Sequence, residues 1–117
     1  MKQLKAYRQK ALLVFFLTSF LFIVCCSKPL PQDKLSYSGY WEGKNVVLTI
    51  YTDGRIKYKR QKGYGHTKIN APIKEFNGND FVVGIGFIHT TFKVDKPPYE
   101  ENGTWKMVVD GVELTRY

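Results

Sequence analysis

Trp105-Lys106-Met107-Val108-Val109-Asp110-Gly111-Val112-Glu113-Leu114-Thr115-Arg116 decides the fold class. Trp105, Met107 and Val109 alternate with Lys106 and Val108, which places the first set on one face of an extended strand. Asp110-Gly111 then supplies a residue pair that tolerates the positive φ angles of a tight hairpin turn, and Val112, Leu114 and Arg116 resume the alternation. The same grammar recurs toward the N-terminus. Segments 46–51 and 55–61 flank Thr52-Asp53-Gly54, segments 69–76 and 81–85 flank Asn77-Gly78-Asn79-Asp80, and Gly86 separates the latter from 87–94. No sustained 3.6-residue period occurs between residues 37 and 117. The expected fold is all-β: a small antiparallel meander of six to seven strands forming a compact barrel or sandwich. Most of its aromatic residues, a set that includes Phe87, Phe92, Tyr99 and Trp105, are expected in the core.

A different pattern precedes this domain. Lys2, Lys5, Arg8 and Lys10 lead into residues 11–26, which carry no charge. A membrane-spanning helix needs about 20 apolar residues for roughly 30 Å of hydrocarbon, whereas a secretory signal is satisfied with fewer. Phe15, Phe16, Phe20 and Phe22 cover every face of such a helix, which argues against an amphipathic core element and leaves a retained anchor as the main alternative to a cleaved signal. The β-domain is therefore expected to follow an N-terminal hydrophobic signal helix. The expected division is a signal peptide at 1–25, an extended tether at 26–36 containing Pro29 and Pro31, and the β-domain at 37–117.

Ile23-Val24-Cys25-Cys26 resembles the lipobox of bacterial lipoproteins. The resemblance implies thioether attachment of diacylglycerol to Cys26, cleavage before it and acylation of the freed amine. Cys25 then fills the small position before the acceptor, where the family usually has Gly or Ala. Three acyl chains anchor far more firmly than one. Ser27 after the acceptor implies delivery to an outer membrane where the organism has one, so the expected location is the bacterial cell envelope. Cys25 and Cys26 are the only cysteines, so the folded domain carries neither a disulfide nor a thiol site.

The net charge of +8 points toward nucleic acid until it is divided. Four of the excess cations lie in residues 1–25, which leaves +4 on the remainder and makes nucleic acid an unexpected partner. The strongest basic run is Arg55-Ile56-Lys57-Tyr58-Lys59-Arg60-Gln61-Lys62. Alternation separates Arg55, Lys57 and Lys59 from Ile56 and Tyr58. The run suits a solvated face guarding a sheet edge, or a site for an anionic partner such as lipid headgroups or envelope polymer.

No catalytic set, metal site or cofactor site is expected. His66 and His89 are the only histidines and neither has a second ligand at metal-binding spacing. Gly84-Ile85-Gly86 has no following helix and reads as a strand corner or bulge. Binding residues are sought instead in two loops: 62–68, with Tyr64 and His66, and 95–103, with Pro97-Pro98 and Tyr99.

Gly39-Tyr40-Trp41 near the start of the domain and Arg116 near its end resemble the Gly-x-Trp motif and closing arginine of lipocalin-like barrels. That likeness implies a tryptophan plugging the barrel floor, an arginine stacked across it, and a cup for a small apolar ligand. The wider run from Trp41-Glu42-Gly43 through Asp80-Phe81-Val82-Val83-Gly84 to Asp110-Gly111-Val112-Glu113-Leu114 resembles small exported bacterial proteins. The expected function is a non-enzymatic, lipid-anchored envelope protein. Its membrane contact runs through acyl chains on Cys26, and a protein or cell-wall partner meets its β-domain. The alternative is a lipocalin-like carrier of a small apolar ligand.

Overall fold

A computed structural model describes residues 28–117. The expected signal helix and the Cys26 acceptor lie outside the described residues. After a 3-10 helix η1 (Gln32–Tyr37) the chain forms nine strands. They are β1 (Gly39–Gly43), β2 (Val46–Ile50), β3 (Arg55–Lys62), β4 (Gly65–Asn77) and β5 (Asp80–Ile85). β6 (Ile88–Phe92), β7 (Val94–Glu101), β8 (Thr104–Val109) and β9 (Val112–Arg116) complete the set. All pairings are antiparallel, in the order β6-β5-β4-β3-β2-β1-β9-β8-β7. The fold class is all-β as expected, but nine strands replace six to seven.

Where an extended tether is expected, Gln32–Tyr37 wind into η1, and Leu30 is buried in the core. The expected loop at 95–103 is instead most of β7 and its turn. Asn102 and Gly103 both take positive φ, which matches the twist of the flanking strands and closes β7 onto β8.

The two edge strands are consecutive in the chain and separated by Lys93 alone. Phe92 pairs with Phe81 on one side of that residue, and Val94 pairs with Val109 on the other. The sheet therefore curls until its edges meet at one corner, a barrel wall left open along a seam. Two carboxylates staple the corner. Lys93 donates its N–H to Asp110 Oδ1 at 3.0 Å, and Val94 donates its N–H to Asp80 Oδ1 at 2.7 Å. Asp110 N–H in turn donates to the Lys93 carbonyl at 2.8 Å.

Strand alternation fills the concave side. Trp41, Leu48 and Tyr58 face one another across β1, β2 and β3, and Ile50, Ile56 and Ala71 form the next row. Phe81 and Phe92 stack with centroids 5.1 Å apart, and Tyr58 meets Phe92 edge-on at 4.9 Å. With Val83, Met107, Val109 and Leu114 these side chains form one continuous core.

Candidate functional site

The residues of the Gly-x-Trp motif come together at the end of the sheet where the chain enters. Arg116 lays its guanidinium over Trp41 at 5.5 Å and over Trp105 at 4.9 Å, so it is sandwiched between two indoles. A side chain on Gly39, at φ +134°, would meet Arg116 Cδ at 2.6 Å, so this glycine makes room for the arginine. Trp41 Nε1–H donates to the Tyr37 carbonyl at 2.8 Å, and Arg116 Nη1–H donates to the Ser36 carbonyl at 3.3 Å. η1 is thereby tied across the floor. Tyr37 completes it: its hydroxyl donates to the Asn79 carbonyl at 2.9 Å, and its ring meets Phe76 edge-on. Burial, aided by the Asp80 and Asp33 carboxylates, raises the Tyr37 phenol above its ordinary pKa. Trp105 was not expected in this cluster, although its pairing two strands from Trp41 follows from the β8–β9 hairpin.

The expected loop residues separate. Tyr64 is fully exposed in the Gly63-Tyr64 turn, and exposed His66 is already in β4, paired with Gln61. The expected loop there shrinks to two residues because β3 and β4 pair down to Lys62 and Gly65. Tyr99 is a half-buried residue of edge strand β7, with the Lys96 ammonium 5.9 Å from its ring, and shares no surface element with Tyr64.

The strongest electrostatic feature is the β3–β4 hairpin. Residues 55–74 contain Arg55, Lys57, Lys59, Arg60, Lys62, Lys68 and Lys74, and no acid. These seven cations exceed the +4 of residues 26–117, so the rest of that stretch is net acidic. β3 lies between β2 and β4, so its charges do not guard a sheet edge. Among the described residues, Arg55 alone of the seven pairs with an acid, Asp53 at 3.0 Å. Lys59 stands directly across from Lys68, a like-charge pairing that costs stability. Lys57, Lys59 and Lys68 border an outward-facing groove of about 380 Å³, with Val47, Thr49 and Asn70 on its other walls. Of two further grooves, one lies against residues 28–31 and reaches the core residues Leu30 and Ile73, and one lies between the turns at Asn45 and Gly111.

One surface was missed at the level of sequence. At the β5–β6 turn Ile85, Phe87 and Ile88 are 69%, 92% and 73% exposed, although Phe87 is expected in the core. The bulged residue Lys74 hydrogen-bonds the Gly86 carbonyl and ties this turn to β4. Hydrophobicity alone marks these residues as apolar without saying that their hairpin outruns the core. Among the described residues no three His, Cys, Asp or Glu side chains gather into a metal-ligand group. No family model, curated protein or solved structure matches the chain.

Proposed function

We propose that the chain is a non-enzymatic envelope protein, held at a membrane by acyl chains on Cys26. Its β-domain binds an anionic partner, a cell-wall polymer or an acidic protein surface, through the β3–β4 hairpin. The observation that carries this reading is the concentration of seven cations and no acid on residues 55–74, six of them without an acidic partner among the described residues. A merely solvated surface intersperses both signs, whereas a one-sign stripe steers an oppositely charged partner.

Retention on isolated cell-wall sacculi, and on beads bearing an acidic peptide, tests the surface. Joint replacement of Lys57, Lys59 and Lys68 by Gln is expected to weaken whichever retention is present by about tenfold and to flatten its salt dependence. Retention unchanged by these substitutions removes the reading. The anchor has its own test: palmitate label is expected to be lost in Cys26→Ala and kept in Cys25→Ala.

The carrier reading rests on the Gly39, Trp41 and Arg116 geometry. Saturable binding of a fluorescent fatty acid, displaced by an unlabelled one and lost in Leu48→Trp, would favour it.

A further inference from the structure

β6 is an edge strand whose outer side is bare. The two-residue turn Gly86-Phe87 closes on the pair Ile85–Ile88, which exchanges both ladder bonds, as do Val83–Thr90 and Phe81–Phe92 by alternation. His89, Thr91 and Lys93 therefore turn their backbone N–H and C=O groups to the other side. Lys93 bears this parity out, because both of its groups meet Asp110 there. Among the described residues, no hydrogen bond reaches His89 or Thr91 on that side.

None of the usual protections is present. Ile88-His89-Thr90-Thr91-Phe92 contains no Pro, Lys, Arg, Asp or Glu and shows no bulge, and its first four residues are exposed. The opposite edge, β7, carries Pro97-Pro98, two bulges and the charges of Asp95, Lys96, Glu100 and Glu101.

We infer that β6 pairs antiparallel with β6 of a second copy of this chain. The register that satisfies His89 and Thr91 of both copies places the two-fold axis at Thr90, with each His89 opposite the other copy's Thr91. It sets Thr90 against Thr90 in a close, non-hydrogen-bonded pair, a favourable cross-strand partnership. It also brings exposed Ile88 opposite Phe92 of the other copy. No charged side chain of the strand meets its like. A second copy fits this edge better than an unlimited stack, because β7 is blocked and the pairing closes at two. The contact is small, so the pair is weak and depends on local concentration. The inference concerns a different surface from the basic hairpin and stands without the proposed function.

Cysteine cross-linking tests it on the full chain in detergent micelles, with Cys25 and Cys26 replaced by Ser. Across a non-hydrogen-bonded pair the Cα atoms lie about 4.5 Å apart, within disulfide reach. Under mild oxidant Thr90→Cys is expected to form covalent dimers at least about tenfold faster than Thr91→Cys, whose thiols sit off-register on the other face. Adding Thr91→Pro, which removes an outward N–H and spares the β5 ladder, is expected to reduce the Thr90→Cys rate to the Thr91→Cys level. Circular dichroism checks that the strands remain. Should Thr91→Pro unfold the domain, Thr91→Lys serves, since it sets a charge beside the new strand. Equal rates at positions 90 and 91, or cross-linking by Phe87→Cys alone, overturn the inference.

Discussion

The two free edges of this sheet sit one residue apart in the chain and are built in opposite ways. β7 interrupts its ladder with Pro97 and Pro98, bulges at two places and carries four charged residues, and η1 packs against it. β6 runs straight, uncharged and exposed for four residues. Both edges meet the same corner at Lys93, so the difference does not come from their position in the fold. A domain that blocks one edge so thoroughly and leaves its neighbour bare separates a structural boundary from a surface for contact.

The largest expected effect tests what holds β6 to the core. Phe92 is its one buried residue, stacked on Phe81 and met edge-on by Tyr58. Phe92→Ala is expected to cost about 3–5 kcal/mol in urea unfolding, whereas Thr90→Ala costs less than about 0.5 kcal/mol. Equal costs would mean that the outer half of β6 is covered. Next comes the corner. Asp80→Ala deprives the Val94 N–H of its charged acceptor and is expected to lower stability by about 1.5 kcal/mol and to loosen β7 before β6.

Tyr37, the last residue of η1, adds a pH signature. The Tyr37 phenol is raised in the folded protein, so the unfolded chain gives up its proton first as pH climbs past about 10. The contribution is complete below that pH and is lost as pH rises toward the folded value. Tyr37→Phe is expected to cost about 1 kcal/mol at neutral pH and to make alkaline unfolding less steep, as followed by tryptophan fluorescence. The smallest effect on stability belongs to the prolines. Replacing Pro97 and Pro98 by Thr is expected to change stability by less than about 0.5 kcal/mol. It opens a second edge, and light scattering is then expected to show species larger than dimers.

How much of this was legible follows the turn chemistry. Asp53-Gly54 and Asp110-Gly111 announced their hairpins, and the alternation around them placed Leu48, Ile50, Met107 and Leu114 inside. β7 was lost because two consecutive prolines argue against a strand; on this edge strand they fall in the bulge between Lys96 and Tyr99, where neither is in the ladder. Asn102-Gly103 is as strong a turn signal as Asp110-Gly111, but inside the expected loop at 95–103 it was not read as the end of a strand. The segment 87–94 reads as one strand, but its pairing changes sides at Lys93, a consequence of curling that no local pattern records. Gly39, Trp41 and Arg116 were legible as a set only through their likeness to the lipocalin-like motif, and the close approach of Arg116 to Gly39 needed the structure. The basic hairpin was visible as a run of charge. Its central place in the sheet, which removes edge protection as its explanation, needed the topology.

Amide hydrogen exchange at His89 and Thr91, followed as protein concentration rises, tests the open edge most directly. Both amides are expected to exchange rapidly in dilute solution, while Ile88 and Thr90 stay protected by the β5 ladder, and to become protected together as copies pair. Protection of His89 and Thr91 at every dilution, or rapid exchange at every concentration, would contradict the account.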